Sequence, residues 1–382
     1  MKIGIITQPL CSNYGGLLQN YALQQTLINA GYEVETIDWG SRKTLRYSLY
    51  RIKIWLLHIL FPNKYSKPQY VPNDEDLRFI RRNTNYFINS YIKHSPVLHS
   101  YDDFVRIANI KGYGAYIVGS DQCWRPRYNA FLSSMFLDFV CENKVKRIAY
   151  AASFGTDIWE FSEQQTIVCA SLAKKFDLIT VREDSGVKLC KEHLGVNAIH
   201  VLDPTMLLTK DDYVDLVKKE KEPSTNGTLF NYILDPDFRK TTFIKKVADA
   251  EGLKTFQVLP KYQTENYTKD NVKHCIEECV FPSVTAWLNA FIDAKMIIVD
   301  SFHGMVFSII FNKPFWAIGN ARRGMSRFTS LLKMFHLEDR LLDVDRLDDV
   351  DVTKPIDWEI VNNILEKTRK ESIALLLNKL KE

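Results

Sequence analysis

The chain has 382 residues, of which 46% are hydrophobic and 25% are charged, and its net charge is +4. This length is too great for one hydrophobic core and suits two domains. The charge is too small to indicate a nucleic-acid partner. No apolar run could span a bilayer, Met1–Thr7 leads directly into a strand, and the seven cysteines are scattered. We therefore expect a cytoplasmic protein without a signal peptide.

The first forty residues predict a β-α-β unit. Lys2–Thr7 and Val34–Asp38 have the pattern of strands, and Leu17–Ala30 has that of a helix. Two strands joined by a helix indicate a parallel sheet. Gly15 and Gly16 precede the helix but do not form the G-x-G-x-x-G pattern of dinucleotide sites. They allow either a close approach of a ligand to the backbone or a plain tight turn.

Residues 42–70 interrupt the α/β pattern with basic residues interleaved among apolar and aromatic ones. The basic residues include Arg42, Lys43, Arg46, Arg51, Lys53 and Lys64. This composition is typical of a basic amphipathic insertion. The pattern favours a helix that covers the protein's own core, and the alternative is peripheral contact with an anionic membrane.

Four further strands are predicted in the first half of the chain, at Ala115–Gly119, Arg147–Ala152, Leu178–Val181 and Ala198–Leu202. Polar residues follow each strand, including Asp121 and Gln122, Ser153, Arg182 and Glu183, and Asp203. The carboxyl ends of parallel strands share one edge of the sheet, where ligands bind. These residues therefore suit either a ligand site or ordinary helix caps.

The charged stretch 218–227 is the best domain boundary. Strands are predicted after it at Leu229–Leu234, Thr255–Leu259, Met296–Val299 and Pro314–Ile318. The expected fold is α/β, with two Rossmann-like domains that face a cleft. We predict an N-terminal domain over residues 1–217, on the acceptor side and carrying the insertion. A C-terminal domain over residues 218–354 forms the donor side, and a helical segment covers residues 355–382.

The most informative stretch is 299–312, where a buried strand turns sharply into an apolar helix. Asp300 and Ser301 are good N-cap residues, and His303 lies at the turn. Free N–H groups and the helix dipole make such a turn an anion site, and a histidine there can also move a proton. The alternative is a polar cap with a surface histidine.

Six stretches resemble the polysaccharide pyruvyl transferase family. They are residues 13–23, 118–126, 150–155, 181–186, 202–208 and 300–315, and they occur in the family's order. Together they extend the resemblance from residue 1 to about residue 330. The resemblance implies a fold similar to that of GT-B glycosyltransferases. It also implies transfer of the enolpyruvyl unit of phosphoenolpyruvate to a sugar, usually as a ketal that bridges two hydroxyls.

The family's phosphoenolpyruvate site is built from arginines and a histidine. His303 matches this histidine by its place in Ser-Phe-His-Gly, and Arg182 matches a donor-binding arginine. Other branches carry an arginine two residues before the histidine, where this chain has Ser301. Three arginines could replace that charge, namely Arg322, Arg323 and Arg327. The remaining predicted substrate contacts are Asn13, Gly15, Gly16, Gln122 and Gly304.

The implied chemistry needs an acid and a base. His303 could protonate the donor or stabilise the departing phosphate. Asp121 and Glu183 are the candidates to accept the hydroxyl proton, and Asp300 is a weaker one because it could simply cap its helix. Nothing in this chemistry requires a metal, and we expect no cofactor besides the donor substrate. His274, Cys275 and Cys279 form only half of a zinc pattern.

The expected acceptor is an oligosaccharide or a lipid-linked saccharide of a surface polysaccharide. Rival interpretations are a GT-B glycosyltransferase that uses a sugar nucleotide and a non-catalytic glycan-binding protein. A serine hydrolase based on Ser153 is weaker, because Ala-Ala-Ser-Phe-Gly lacks the first glycine of G-x-S-x-G.

Overall fold

The protein contains two parallel β-sheets. The computed structural model describes residues 1–40, 45–61, 64, 70–142, 144–263, 266–319 and 324–382, without the side chains of residues 45–51, 348 and 349. The strands of the first sheet are β1 (Lys2–Ile6), β2 (Glu33–Thr36), β3 (Ala115–Gly119), β4 (Lys146–Ala152), β5 (Leu178–Val181) and β6 (Ile199–His200). They lie in the order β2-β1-β3-β4-β5-β6.

The second sheet follows the same plan. Its strands are β7 (Leu229–Tyr232), β8 (Thr255–Phe256), β9 (Met296–Val299), β10 (Phe315–Ile318) and β11 (Leu341–Leu342), in the order β11-β10-β9-β7-β8. Every residue of β3 and of β9 is buried, as expected for parallel strands covered by helices on both faces. The two sheets confirm the predicted α/β fold with two Rossmann-like domains.

Helices connect these strands. Those of the first half are α1 (Tyr14–Asn29), α2 (Leu45–Leu60), α3 (Asp74–Ile80), α4 (Arg82–Tyr91), α5 (Tyr101–Lys111), α6 (Glu163–Ala173), α7 (Asp184–Leu189) and α8 (Lys210–Glu220). Those of the second half are α9 (Phe238–Ala250), α10 (Lys269–His274), α11 (Val284–Asp293), α12 (Phe302–Ile310), α13 (Ser326–Met334) and α14 (Trp358–Lys381).

Central strands match their predicted bounds better than edge strands do. Ala115–Gly119, Leu178–Val181 and Met296–Val299 are confirmed as predicted. The strands predicted at Ala198–Leu202 and Thr255–Leu259 contain only two residues each. Both are edge strands, β6 and β8, and each can pair on one side only. In both stretches the apolar sequence pattern continues beyond the residues that pair with a neighbouring strand.

The last helix, α14, joins both halves of the molecule. Near its start, Val361 belongs to the large core that includes β9 and α12. Near its end, Leu376 and Leu380 are buried with Ile3 and Ile5 of β1. The C-terminal helix therefore completes the core of the first sheet.

The basic insertion contains a helix, α2, whose described side chains are exposed or, as for Ile54 and Leu57, half-buried, so the interpretation that it covers the core stays a prediction. Trp55, Ile59 and Leu60 of this helix are exposed, although they are large and apolar. Arg42 and Lys43 lie outside the described residues. No described helix is both long and apolar enough to cross a membrane.

Candidate active site

A cavity of about 350 Å³ lies in the cleft between the two sheets. Seven predicted site residues line it, namely Asn13, Gly15, Asp121, Gln122, Ser301, His303 and Arg327. The other lining residues include Cys11, Tyr14, Tyr128, Tyr232, Gln263 and Phe302. The lining comes from both halves of the chain, so the cavity belongs to neither domain alone. A larger cavity of about 750 Å³ lies between α9 and β8, within the second domain.

The N-termini of three helices meet at the cleft cavity. Asn13 caps α1, and its Oδ1 accepts a hydrogen bond of 3.2 Å from the Gly16 N–H. Ser301 caps α12, and its Oγ accepts one of 3.1 Å from the Gly304 N–H. Helix α13 contributes Arg327 from its first turn. The positive ends of three helix dipoles therefore favour an anion in this cavity.

Gly15 allows α1 to approach the imidazole of His303. A β-carbon at Gly15 would lie 2.0 Å from Nδ1 of His303, which no side chain could tolerate. The two residues come from different domains and are far apart in sequence. This contact explains one of the two glycines in Asn-Tyr-Gly-Gly, since the N–H of the other, Gly16, serves the Asn13 cap.

The other imidazole nitrogen of His303 faces a buried carboxylate. Its Nε2 lies 3.8 Å from Oδ2 of Asp203, within the range of an ion pair but too far for a hydrogen bond. Asp203 is held in place by the Ser120 hydroxyl at 3.0 Å and by the hydroxyl of Thr205 at 2.7 Å. Asp203 therefore presents a fixed carboxylate to this side of the His303 ring.

Arg182 lies beneath the cavity rather than in its lining. Its Nη1 donates to Asp203 at 3.0 Å and its Nη2 to Asp121 at 3.2 Å. The guanidinium carbon lies 4.4 Å from the ring centroid of Phe302, which separates it from the cavity. The Arg182 side chain is 1% exposed. This geometry indicates a structural role in place of the predicted direct contact with the donor.

The two aspartates on Arg182 are both kept ionised. Burial works to raise the pKa of the Asp203 carboxyl, but His303, Arg182 and Thr205 hold it well below its usual range. Burial opposes ionisation of Asp121 too, and Arg182 and His303 lower its pKa. Asp121 also has a left-handed backbone, with a φ of 57°, which aspartate tolerates better than most residues.

Arg327 carries the positive charge of the cavity wall. Among the described residues that line this cavity, it is the only arginine or lysine. Burial, together with the charge of Arg182, lowers the pKa of Arg327 to about 10, so it stays protonated at neutral pH. Arg322 and Arg323 lie outside the described residues.

Three further predicted site residues have structural contacts instead. Glu183 is fully buried, and its Oε1 accepts hydrogen bonds of 2.9 Å from the Ser153 hydroxyl and from the Gly155 N–H. A β-carbon at Gly304 would lie 2.7 Å from Cγ1 of Val299, so this glycine permits close packing of α12 on β9. Gly16, whose N–H binds the Asn13 cap, is likewise absent from the cavity lining.

Asp300 and Ser153 also have buried structural roles. Asp300 accepts hydrogen bonds of 2.7 Å from the Leu234 N–H and 2.8 Å from Nζ of Lys240, so it is not the helix cap. Ser153 is fully buried and donates its hydroxyl to Glu183. The geometry therefore gives no support to a serine nucleophile at this position.

Asp203 is the principal site residue that the sequence did not single out as catalytic or substrate-binding. It follows β6 in the stretch Leu-Asp-Pro-Thr, one of the six stretches that carry the family resemblance. Its place after a strand was a usable signal, but the same place suits an ordinary cap. Asp203 does cap a short 3₁₀ turn, through a bond from the Thr205 N–H, in addition to contacting Arg182 and His303.

The model of the polysaccharide pyruvyl transferase family matches residues 13–322. This range covers most of the chain and includes the lining residues from Asn13 to His303. The chain belongs to the polysaccharide pyruvyl transferase family. It is therefore a transferase, as its sequence stretches predicted. No individually curated protein matches the sequence significantly.

Solved structures similar to this pyruvyl transferase family member span the whole molecule at low identity. MnaA of S. aureus, solved with UDP, is 11% identical with a TM-score of 0.50, covering 100% of this chain and 98% of that one. UDP-GlcNAc 2-epimerase of Methanocaldococcus jannaschii is 10% identical with a TM-score of 0.46, covering 100% and 99%. MurG of Acinetobacter baumannii is 10% identical with a TM-score of 0.42, covering 99% and 98%. Such likeness concerns the fold alone.

Proposed function

We propose that this enzyme transfers the enolpyruvyl unit of phosphoenolpyruvate to a saccharide and forms a pyruvate ketal. The main support for this proposal is that His303 and Arg327 lie where three helix N-termini meet. Phosphoenolpyruvate bears a phosphate and a carboxylate, and these positive groups match its charge. The cavity of about 350 Å³ is at the lower end of the roughly 300–1,000 Å³ usual for ligand sites, which favours a small donor.

The reaction balances without a further reactant. One acceptor hydroxyl adds to C2 of the donor while C3 gains a proton and becomes a methyl group. A second hydroxyl then attacks C2, the bond from C2 to the phosphate oxygen breaks, and phosphate leaves. Of the two hydroxyl protons, one replaces the proton given to C3 and the other goes to phosphate.

Within this scheme His303 supplies the proton or stabilises the leaving phosphate, and the Asp203 carboxylate lies 3.8 Å from its Nε2. Asp121 is the carboxylate nearest to the acceptor side, since it lines the cavity and Glu183 does not. Its lowered pKa makes it a weak base, so it accepts a hydroxyl proton only as that hydroxyl attacks. The identity of the base stays a prediction.

Arg327 replaces the family arginine that is absent at Ser301. Its guanidinium is charged at neutral pH and can bind an oxyanion through two N–H groups. It reaches the same cavity from α13 instead of from α12. The donor site therefore keeps an arginine although its place in the sequence differs.

The proposed acceptor is a sugar of a surface polysaccharide, such as a capsule or exopolysaccharide, or of its lipid-linked precursor. We place the reaction in the cytoplasm, at the inner membrane face when the acceptor is lipid-linked. The absence of a cofactor stays a prediction, and unchanged turnover after treatment with EDTA would support it.

The test combines donor binding with turnover. Phosphoenolpyruvate at a hundred times its dissociation constant should stabilise the protein by about 2.7 kcal/mol in thermal unfolding. Phosphate release should then depend on an acceptor from a panel of oligosaccharides. Stabilisation by a sugar nucleotide and not by phosphoenolpyruvate would favour a glycosyltransferase. Saccharide binding without any response to phosphoenolpyruvate would favour a glycan-binding protein.

A further inference from the structure

Helix α2 presents an apolar stripe to solvent. Its exposed large side chains recur at helical spacing and therefore lie on one face. They are Ile52 (54% exposed), Trp55 (51%), Leu56 (48%), Ile59 (53%) and Leu60 (67%). Phe61, the next residue, is 54% exposed. A continuous apolar face of this kind marks a contact with another molecule or with a membrane.

The charge around this stripe identifies the partner's chemistry. The sequence from residue 39 to residue 73 contains no Asp or Glu, and it contains seven basic residues: Arg42, Lys43, Arg46, Arg51, Lys53, Lys64 and Lys67. The whole chain has a net charge of only +4, so the rest of the protein is negative overall. The partner must therefore offer both apolar contact and negative charge.

We propose that α2 docks on an anionic lipid surface, lying in the plane of the interface with its apolar stripe among the acyl chains. A helix of 16 residues is about 24 Å long, which is too short to cross a bilayer but suits an interfacial helix. A second copy of this chain is a poorer occupant. Two copies paired through α2 would bring two strongly basic stretches of sequence together.

The residues that precede the docking segment lie close to the cleft cavity. The chain enters this segment after Trp39, whose indole N–H donates to the Thr7 carbonyl at 2.7 Å. The neighbouring Asp38 accepts a hydrogen bond of 3.0 Å from the Leu10 N–H, and the next residue, Cys11, lines the cavity. On the proposed function, a lipid-linked acceptor would reach the cavity from the same side.

Vesicle binding tests the docking proposal without involving the reaction. We expect the protein to sediment with phosphatidylglycerol-containing vesicles at low salt, to dissociate as salt rises, and to stay in solution with pure phosphatidylcholine. Among the side chains that the structure describes, Trp55 is the only exposed tryptophan. Brominated lipids should therefore quench part of the fluorescence, and this quenching should disappear in Trp55→Phe.

The matched variants change three exposed apolar residues each. Trp55→Glu/Leu56→Glu/Ile59→Glu should lower partitioning into anionic vesicles by about two orders of magnitude. The control variant is Ile110→Glu/Ile167→Glu/Phe238→Glu. These three residues are 73%, 60% and 85% exposed and lie on three other helices, so the control should leave vesicle partitioning unchanged.

Three results would overturn the docking proposal. They are a wild-type protein that stays in the supernatant at low salt, equal binding to neutral vesicles, and a dimer in ultracentrifugation that only the α2 variant abolishes. None of them depends on phosphoenolpyruvate. Failure of the proposed function would instead appear as vesicle binding without phosphate release.

Discussion

The Cα of Gly15 lies so close to the His303 ring that a β-carbon there would come within 2.0 Å of Nδ1. The opposite ring nitrogen lies 3.8 Å from Asp203, so the imidazole is confined between α1 and a buried carboxylate. One domain thus positions the histidine of the other, and the orientation of His303 depends on how the two domains meet.

Gly15→Ala should displace the His303 ring and misalign it with the donor. We expect turnover to fall by about a hundredfold, the scale for a misplacement of about 1 Å. Phosphate release under saturating donor measures it. Gly40→Ala is the control, because its β-carbon would meet only Cγ1 of Val97, at 3.3 Å. Equal activity of the two variants would contradict the steric argument.

His303→Ala should lower turnover by about two to four orders of magnitude, because it removes the proton source and the phosphate contact together. The melting temperature should change little, since the side chain faces the cavity. His303→Gln retains a hydrogen-bond donor without a transferable proton. If the Gln variant turns over rapidly, His303 binds an anion and is not the acid.

Arg327→Ala should weaken phosphoenolpyruvate binding by about tenfold or more, the cost of one charged hydrogen bond. Calorimetric titration measures the affinity, and unfolding in urea shows whether the fold persists. The control is Arg106→Ala, which removes an exposed arginine paired with Asp103 on α5. If Arg327→Ala binds phosphoenolpyruvate with wild-type affinity, another arginine binds the donor's negative charge.

Arg182→Ala should act mainly on stability. It leaves the carboxylates of Asp121 and Asp203 buried without their shared cation, which should lower the free energy of unfolding by about 3–5 kcal/mol. Urea unfolding measures this loss. Adding Asp121→Asn and Asp203→Asn should recover part of it. A normal unfolding curve with lost donor binding would instead make Arg182 a direct ligand.

Acid should destabilise the protein through the same two carboxylates. Their pKa values are lower in the folded protein than in the unfolded chain, where aspartate titrates near pH 3.9. Their contribution is therefore complete above about pH 4 and is lost as the pH falls towards the folded pKa values. Urea unfolding at pH 6 and pH 3 should show a smaller difference for Asp203→Asn than for the wild type.

Local pattern was sufficient for the strand-to-helix turn at His303. The apolar run Met296–Val299, the cap at Ser301 and the apolar helix after it all occur as predicted. Local pattern could not separate Asp300 from Ser301, because both residue types cap helices. The structure assigns the cap to Ser301 and directs Asp300 to Lys240.

Contacts between distant residues were beyond the sequence. Arg182 binds carboxylates 21 and 61 residues away, so no spacing rule indicates that it is buried beneath Phe302. The helical spacing of α2 likewise predicts an apolar face but not what lies against it. A core-covering helix and an interfacial helix have the same period, and only the observed exposure distinguishes them.

Helix α14 makes the first domain dependent on residues that lie far from it in the sequence. Leu376 and Leu380 fill the core beside β1, so this core is incomplete until residue 380 has left the ribosome. At about 5–20 residues per second, the strands up to β6 wait roughly ten seconds or longer for their final helix. The two domains should consequently reach their native state together. A stop codon shortly before Leu376 should release a chain in which neither domain is stably folded.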